Sequence, residues 1–147
     1  MQIRKPKPDD RPEWDRLYSG YANFYKVDQT PEMRDRVWGW LHDPAHESEG
    51  LVAEEGDHLV ALAHFRPFAR PLSATTGCFL DDLFVDPETR GTGVADAMLA
   101  ALEEIARTRG WTVVRWITAE NNYRARAVYD RKAARTGWVT YDLVPGK

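Results

Sequence analysis

Arg90-Gly91-Thr92-Gly93-Val94-Ala95 stands where a run of strand-type residues gives way to a helical pattern. Two glycines let a backbone turn tightly and come close to a ligand. Amides there, with a helix N-terminus behind them, make an anion site, because unpaired N–H groups and the positive end of the helix dipole both attract phosphate oxygens. The ligand that fits contains phosphate. A Walker loop would need Gly-Lys-Ser/Thr at the helix start, and Gly93 is followed by Val94, which disfavours ATP. A dinucleotide fold would place Gly-x-Gly-x-x-Gly after the first strand of repeated crossover units, whereas three successive strand patterns precede this motif.

Other residues with chemical potential have plainer readings when taken alone. Asp81 and Asp82 are adjacent on a strand, and alternation puts them on opposite faces, so at most one points to a given side. Asp82 reads as a buried, hydrogen-bonded carboxylate, and Glu120 as a charge at a helix N-terminus. Tyr129 falls on an apolar helical stripe, where a tyrosine is ordinarily core with a satisfied hydroxyl. Tyr21, Phe24 and Tyr25 are either core or the wall of a substrate site. His42 and His46 are four apart, but Pro44 breaks the helix that would align them, so no metal site is expected. His58 and His64 on one hairpin strand are read as exposed or structural. Arg124, Arg126, Arg131, Lys132 and Arg135 read as a solvated helix face.

These residues need elements to hold them. Ile3-Arg4-Lys5 is a short strand, and Asp9-Asp10 before Pro12 starts a helix carrying an aromatic stripe from Trp14 to Tyr25. Thr30-Pro31-Glu32 opens a second helix, which Pro44 ends. Leu51-Val52-Ala53 and His58 to Phe65 form a hairpin, followed by a loop over about Pro67 to Gly77 and a third sheet strand from Cys78 to Val85. A long amphipathic helix runs from Val94 to about Gly110, with Glu103 and Arg107 as an exposed pair. Val113 to Thr118 reads as a strand buried on both faces. Asn121-Asn122 caps a last helix with Ala125, Val128, Tyr129 and Lys132 on one side, and a final strand spans about Trp138 to Val144. The order predicts an α/β fold with a mixed central sheet flanked by helices, in one domain over residues 1–147.

The glycine motif after Leu83-Phe84-Val85 resembles the signature of the GNAT superfamily of acyl-CoA N-acyltransferases, Arg/Gln-x-x-Gly-x-Gly/Ala after a strand. Asn122-x-x-Ala125-x-x-x-Tyr129 matches a second motif of that family at the expected distance downstream. The resemblance implies acetyl-CoA as co-substrate, with its pyrophosphate on the amides of Arg90, Gly91, Thr92, Gly93, Val94 and Ala95. It implies that Leu83, Phe84 and Val85 pair with the pantetheine arm, that this strand splays from Val113–Thr118, and that Asn122 contacts the cofactor. By the same resemblance Tyr129 protonates the departing thiolate and Asp81 is the carboxylate facing the acceptor. Leu80-Asp81-Asp82-Leu83-Phe84-Val85 and the aromatic first helix look like the group of polyamine and histone-type acetyltransferases. One departure is Ala133-Ala134-Arg135-Thr136-Gly137-Trp138 in place of the usual Gly-Phe, which puts the start of the final strand in question.

Acetyl transfer needs a neutral amine, and an amine of pKa about 10 is deprotonated in roughly one molecule in a thousand near pH 7, a deficit of about 4 kcal/mol. A base is therefore expected among Asp81, Asp82 and Glu120, those not serving as base lining the acceptor site with Tyr21, Phe24 and Tyr25. The expected acceptor is a small or polyamine-like primary amine; the rivals are a protein lysine and an idle acyl-CoA sensor. The composition is permissive: 20 basic against 23 acidic residues give a charge of -3, with no field to draw nucleic acid. No apolar run nears the roughly 18 residues of a membrane span. The single Cys78 points to a reducing cytoplasm. The final strand would leave a sheet edge, and many proteins of the family are homodimers, so a homodimer is expected.

Overall fold

Thr30 shows how local chemistry sets the elements. Its side chain accepts the amide of Met33 at 3.2 Å, and Pro31 takes the first position of helix α2, Pro31–Leu41, where a missing N–H costs nothing. Helix α1, Arg11–Phe24, likewise carries Pro12 in its first turn. In a computed structural model, which describes residues 1–146, the chain forms two compact units, Met1–Ile117 and Thr118–Lys147. The expected single domain over 1–147 ends on Lys147, outside the described residues.

The first unit holds a five-stranded sheet in the order β1-β2-β3-β4-β5, made of Gln2–Arg4, Glu49–Glu55, His58–Arg70, Thr75–Val85 and Val114–Arg115. Every pairing is antiparallel except β4 with β5, which is parallel. On one face α1 buries Trp14, Leu17 and Tyr18 against Val52, Leu59, Leu62 and Phe84, with Val37, Trp38 and Leu41 of α2 around them. Alternation turns Leu51, Ala53, Ala61, Ala63 and Phe65 to the other face, where helix α3, Val94–Arg109, buries Met98, Leu99 and Leu102. Glu103 bonds Arg107 at 2.9 Å as the spacing requires, and Gly110 closes the helix at φ 72°.

Three expectations fail here. The loop over Pro67 to Gly77 is mostly strand, because β3 runs on to Arg70 and β4 begins at Thr75. Pro67 is tolerated because its partner Cys78 sends its N–H to Val113, not across the pair. The nitrogen of Pro67 thus points toward β2, whose ladder ends at Phe65, and no sheet hydrogen bond is lost. The strand expected over Val113–Thr118, buried on both faces, pairs only at Val114–Arg115 and is half-buried.

The third failure lies in the second unit. It contains helix α4, Tyr123–Lys132, with Asn122 as N-cap accepting the Ala125 amide at 3.5 Å. Among the described residues no strand forms over 138–144, and Trp138, Tyr141 and Leu143 are all exposed. The alternation that suggested a strand has neither a ladder nor a buried face to satisfy it, and the sheet edge it would have left, one of the two grounds for expecting a homodimer, is not formed.

Candidate active site

The glycine loop is built as an open cradle. Asp86 accepts the Glu88 amide at 3.1 Å and starts a short turn over Pro87–Thr89, after which Gly91 and Gly93 both take φ 86°, a conformation costly for any side chain. Among the described residues no side chain caps the N-terminus of α3, which begins at Val94 directly after Gly93. A Cβ placed on Gly91 or Gly93 would meet nothing within 4 Å, so the space above these residues is free. A helix start whose first amides no side chain caps, the helix dipole and empty space together suit a pyrophosphate.

Strand β4 leads into that loop with one edge that, past Phe79, pairs with no strand among the described residues. Its parallel ladder with β5 covers only Cys78 and Phe79, so Leu80 to Val85 face no strand on that side among the described residues. An unpaired edge offers N–H and C=O groups to an extended amide chain. Phe84 is buried in the core, so of this residue only the backbone is available there, while Leu83 and Val85 are half-buried.

The carboxylates overturn the alternation argument. Residues pair as His64 with Asp82 and Phe65 with Leu80, which leaves Asp81 as an extra residue in a β-bulge. His64 and Arg66, two apart on the regular strand β3, share the face covered by α1; Asp82 bonds His64 at 2.8 Å and Asp81 bonds Arg66 at 3.0 Å. Asp81 and Asp82 therefore point to the same face, because the bulge re-aims one of them. Their environments differ. The Asp81 side chain is 37% exposed, and the partial desolvation it does undergo lifts its carboxyl above the usual carboxylate range against the opposing pull of Arg66. Burial also acts on Asp82, but the hydrogen bonds it accepts from His64 and from the hydroxyls of Tyr18 and Tyr21 outweigh it and hold this carboxyl low. The same burial and the Asp82 charge raise the Tyr18 and Tyr21 phenols.

The aromatic residues divide between the two roles left open for them. Tyr21 is half-buried against Phe84, with ring centroids 5.9 Å apart, and bonds Asp82, so it is both core and wall. Phe24 and Tyr25 are 53% and 41% exposed and stack edge-on at 5.0 Å, which makes them surface, not core. Arg90 lies over the Phe24 and Phe84 rings at 5.9 and 5.7 Å. Between α1 and the end of β4, Phe24, Phe84 and Arg90 line a cleft of about 360 Å³ with Arg16, Gly20 and Asn23. Sequence reasoning did not find Tyr18, Arg66 or the site role of His64; the available signal was a histidine inside an otherwise apolar strand, opposite a buried aspartate.

In the second unit Asn122 caps α4, and Ala125, Val128 and Tyr129 form its half-buried side, whereas Lys132 is exposed. Glu120 is exposed just before the cap, its carbonyl accepting Arg126. Groups of three or more metal-ligand side chains are absent among the described residues.

Comparison with known proteins identifies the family and the fold. The model of the acetyltransferase (GNAT) family matches residues 14–133. A D-amino-acid N-acetyltransferase of Saccharomyces cerevisiae is 26% identical over 142 residues, covering 95% of this chain and 88% of the yeast protein. An uncharacterized N-acetyltransferase of Bacillus subtilis is 29% identical over the whole of both chains. The crystal structure of a probable acetyltransferase superposes with a TM-score of 0.86 at 24% identity, covering 100% of this chain and 99% of the other, a likeness of fold.

Proposed function

The chain belongs to the acetyltransferase (GNAT) family and is an N-acetyltransferase, and from that premise we propose that it transfers acetyl from acetyl-CoA to a small primary amine of the polyamine-like kind. The observation that carries this reading is the edge of β4, unpaired with any described strand beyond Phe79, running into an uncapped, glycine-lined helix start, with two carboxylates on the adjoining face. The residues present fit the co-substrate: the amides of Arg90 to Ala95 would hold the pyrophosphate and the edge at Leu83 to Val85 the pantetheine, with Asn122 as a further contact. When bound, acetyl-CoA supplies the acetyl group as a thioester.

Asp81, whose partial desolvation raises its proton affinity, takes the proton from the acceptor's ammonium, which frees the nitrogen lone pair. The nitrogen forms the new N–C bond, the C–S bond breaks, and Tyr129 gives its proton to the departing sulfur. Asp82 stays ionised beside Tyr18 and Tyr21 and binds positive charge on the acceptor, and Phe24, Tyr25 and Glu120 are assigned to acceptor binding by the family resemblance. A single domain over 1–147 is part of the reading, supported by a family match that runs across the boundary at Ile117. So is a cytoplasmic location, supported by one buried cysteine whose thiol burial pushes up to about 11, an unreactive form. No described helix is long and apolar enough to cross a membrane. A homodimer is part of the reading on the family resemblance alone, since 138–144 forms no edge strand to support it.

Calorimetry with acetyl-CoA, ATP and NAD tests the co-substrate. Acetyl-CoA is expected to bind and the two nucleotides to give no heat at the same concentration. Binding of ATP or NAD without acetyl-CoA would overturn the reading.

A further inference from the structure

Trp14, His64, Asp82 and Tyr18 form a buried hydrogen-bond chain between α1 and the sheet that the transfer step itself does not use. The Trp14 indole donates to Nε2 of His64 at 3.1 Å. An indole nitrogen has no lone pair to offer and can only donate, so Nε2 must accept and the ring proton resides on Nδ1. Nδ1 lies 2.8 Å from Oδ2 of Asp82, and the Tyr18 hydroxyl donates to the same oxygen at 2.9 Å. His64 is 4% exposed and Trp14 fully buried, with the Tyr18 ring edge-on to the imidazole at 4.7 Å. Rotation of the imidazole or a change of tautomer would break the bond to Trp14 or the bond to Asp82, and inside the core each broken bond costs the desolvation of the group left behind.

We propose that His64, locked by Trp14, is a positioning residue that aims Asp82 at a second, non-reacting ammonium group of the acceptor. The proposal rests on the amine-acceptor reading and deepens it: adjacent carboxylates on one face would divide the work, Asp81 meeting the amine that reacts and Asp82 the one that stays charged. The acceptor class is then a diamine. Trp14 is an anchor rather than a relay, since it cannot pass a proton on.

The test uses two substitutions that each keep one of the two bonds. His64→Asn places a donor near the position of Nδ1 and gives up Trp14; His64→Gln reaches the position of Nε2, accepts from Trp14 and leaves Asp82 without its donor. Transfer from acetyl-CoA to 1,4-diaminobutane and to 1-aminobutane is measured for both, for Asp82→Asn and for the wild type. His64→Gln is expected to raise KM for the diamine about tenfold or more, as loss of a hydrogen bond to a charged group does, with kcat and the monoamine KM little changed. His64→Asn should hold the diamine KM within about threefold of wild type. Equal losses in both His64 variants, or equal effects on diamine and monoamine, would overturn the positioning role. A diamine KM unmoved by Asp82→Asn, or a wild type that acetylates neither amine, would instead overturn the acceptor reading beneath it. Nitrogen NMR of the wild type needs no variant to fold: a proton on Nδ1 supports the lock, and a proton on Nε2 overturns it.

Discussion

Asp81 and Asp82 carry the same group on adjacent residues and are pushed in opposite directions, one raised by burial, the other held low by His64, Tyr18 and Tyr21. A base must accept a proton and a cation site must stay charged, so the two settings suit different tasks. The other half of the proton account is Tyr129, in the half-buried row of α4. Tyr129→Phe removes only the hydroxyl and keeps the ring, so the fold should persist with acetyl-CoA affinity little changed. Single-turnover transfer should fall about 10² to 10⁴-fold, or roughly 3 to 5 kcal/mol of barrier, the usual worth of a general acid. A tyrosine with a purely structural role would show the reverse, a lower melting temperature and a normal rate. At this scale the sequence conveys residue types but not their directions. Asp81 and Asp82 were expected on opposite faces, and one unpaired residue in β4 put them on the same one.

Among the elements, the glycine loop makes the sharpest claim, and its two glycines require separating backbone strain from ligand contact. Ala at position 93 would adopt φ 86° at a cost of about 1 to 2 kcal/mol while its Cβ met nothing in the protein. Gly110 supplies the control, since it also has positive φ, 72°, and open space, but closes the far end of α3. Both Gly93→Ala and Gly110→Ala should melt a few degrees lower, as a loss of that size does in a domain of this length. Only Gly93→Ala should lose acetyl-CoA affinity, by tenfold or more, when both are titrated by calorimetry; equal affinity in the two would reduce the loop to a turn. Elements with local signals were legible, such as α2 from Thr30-Pro31 and α4 from Asn122. Those set by partners were not: Pro67 sits in a strand because β2 has ended beside it, and 138–144 is no strand because no described ladder receives it.

Across the whole molecule, the order of elements from β1 to α4 follows the sequence reading, and the mixed sheet follows with it. Hydrophobic period and turn chemistry determine such an order without long-range information. The buried chain from Trp14 through His64 to Asp82 joins residues 50 and 18 positions apart, and nothing local to any of them announces it. The acceptor is the least local property of all, because fold and co-substrate site do not specify it. The most direct test of the account is CoA release from acetyl-CoA by the purified chain, with 1,4-diaminobutane, D-alanine or a lysine-containing peptide as acceptor. The account predicts CoA release that depends on an added amine and is fastest with the diamine. Release no faster with any of the three than with buffer alone, from a folded protein that binds acetyl-CoA, would contradict it and leave an acyl-CoA-binding module in place of an enzyme.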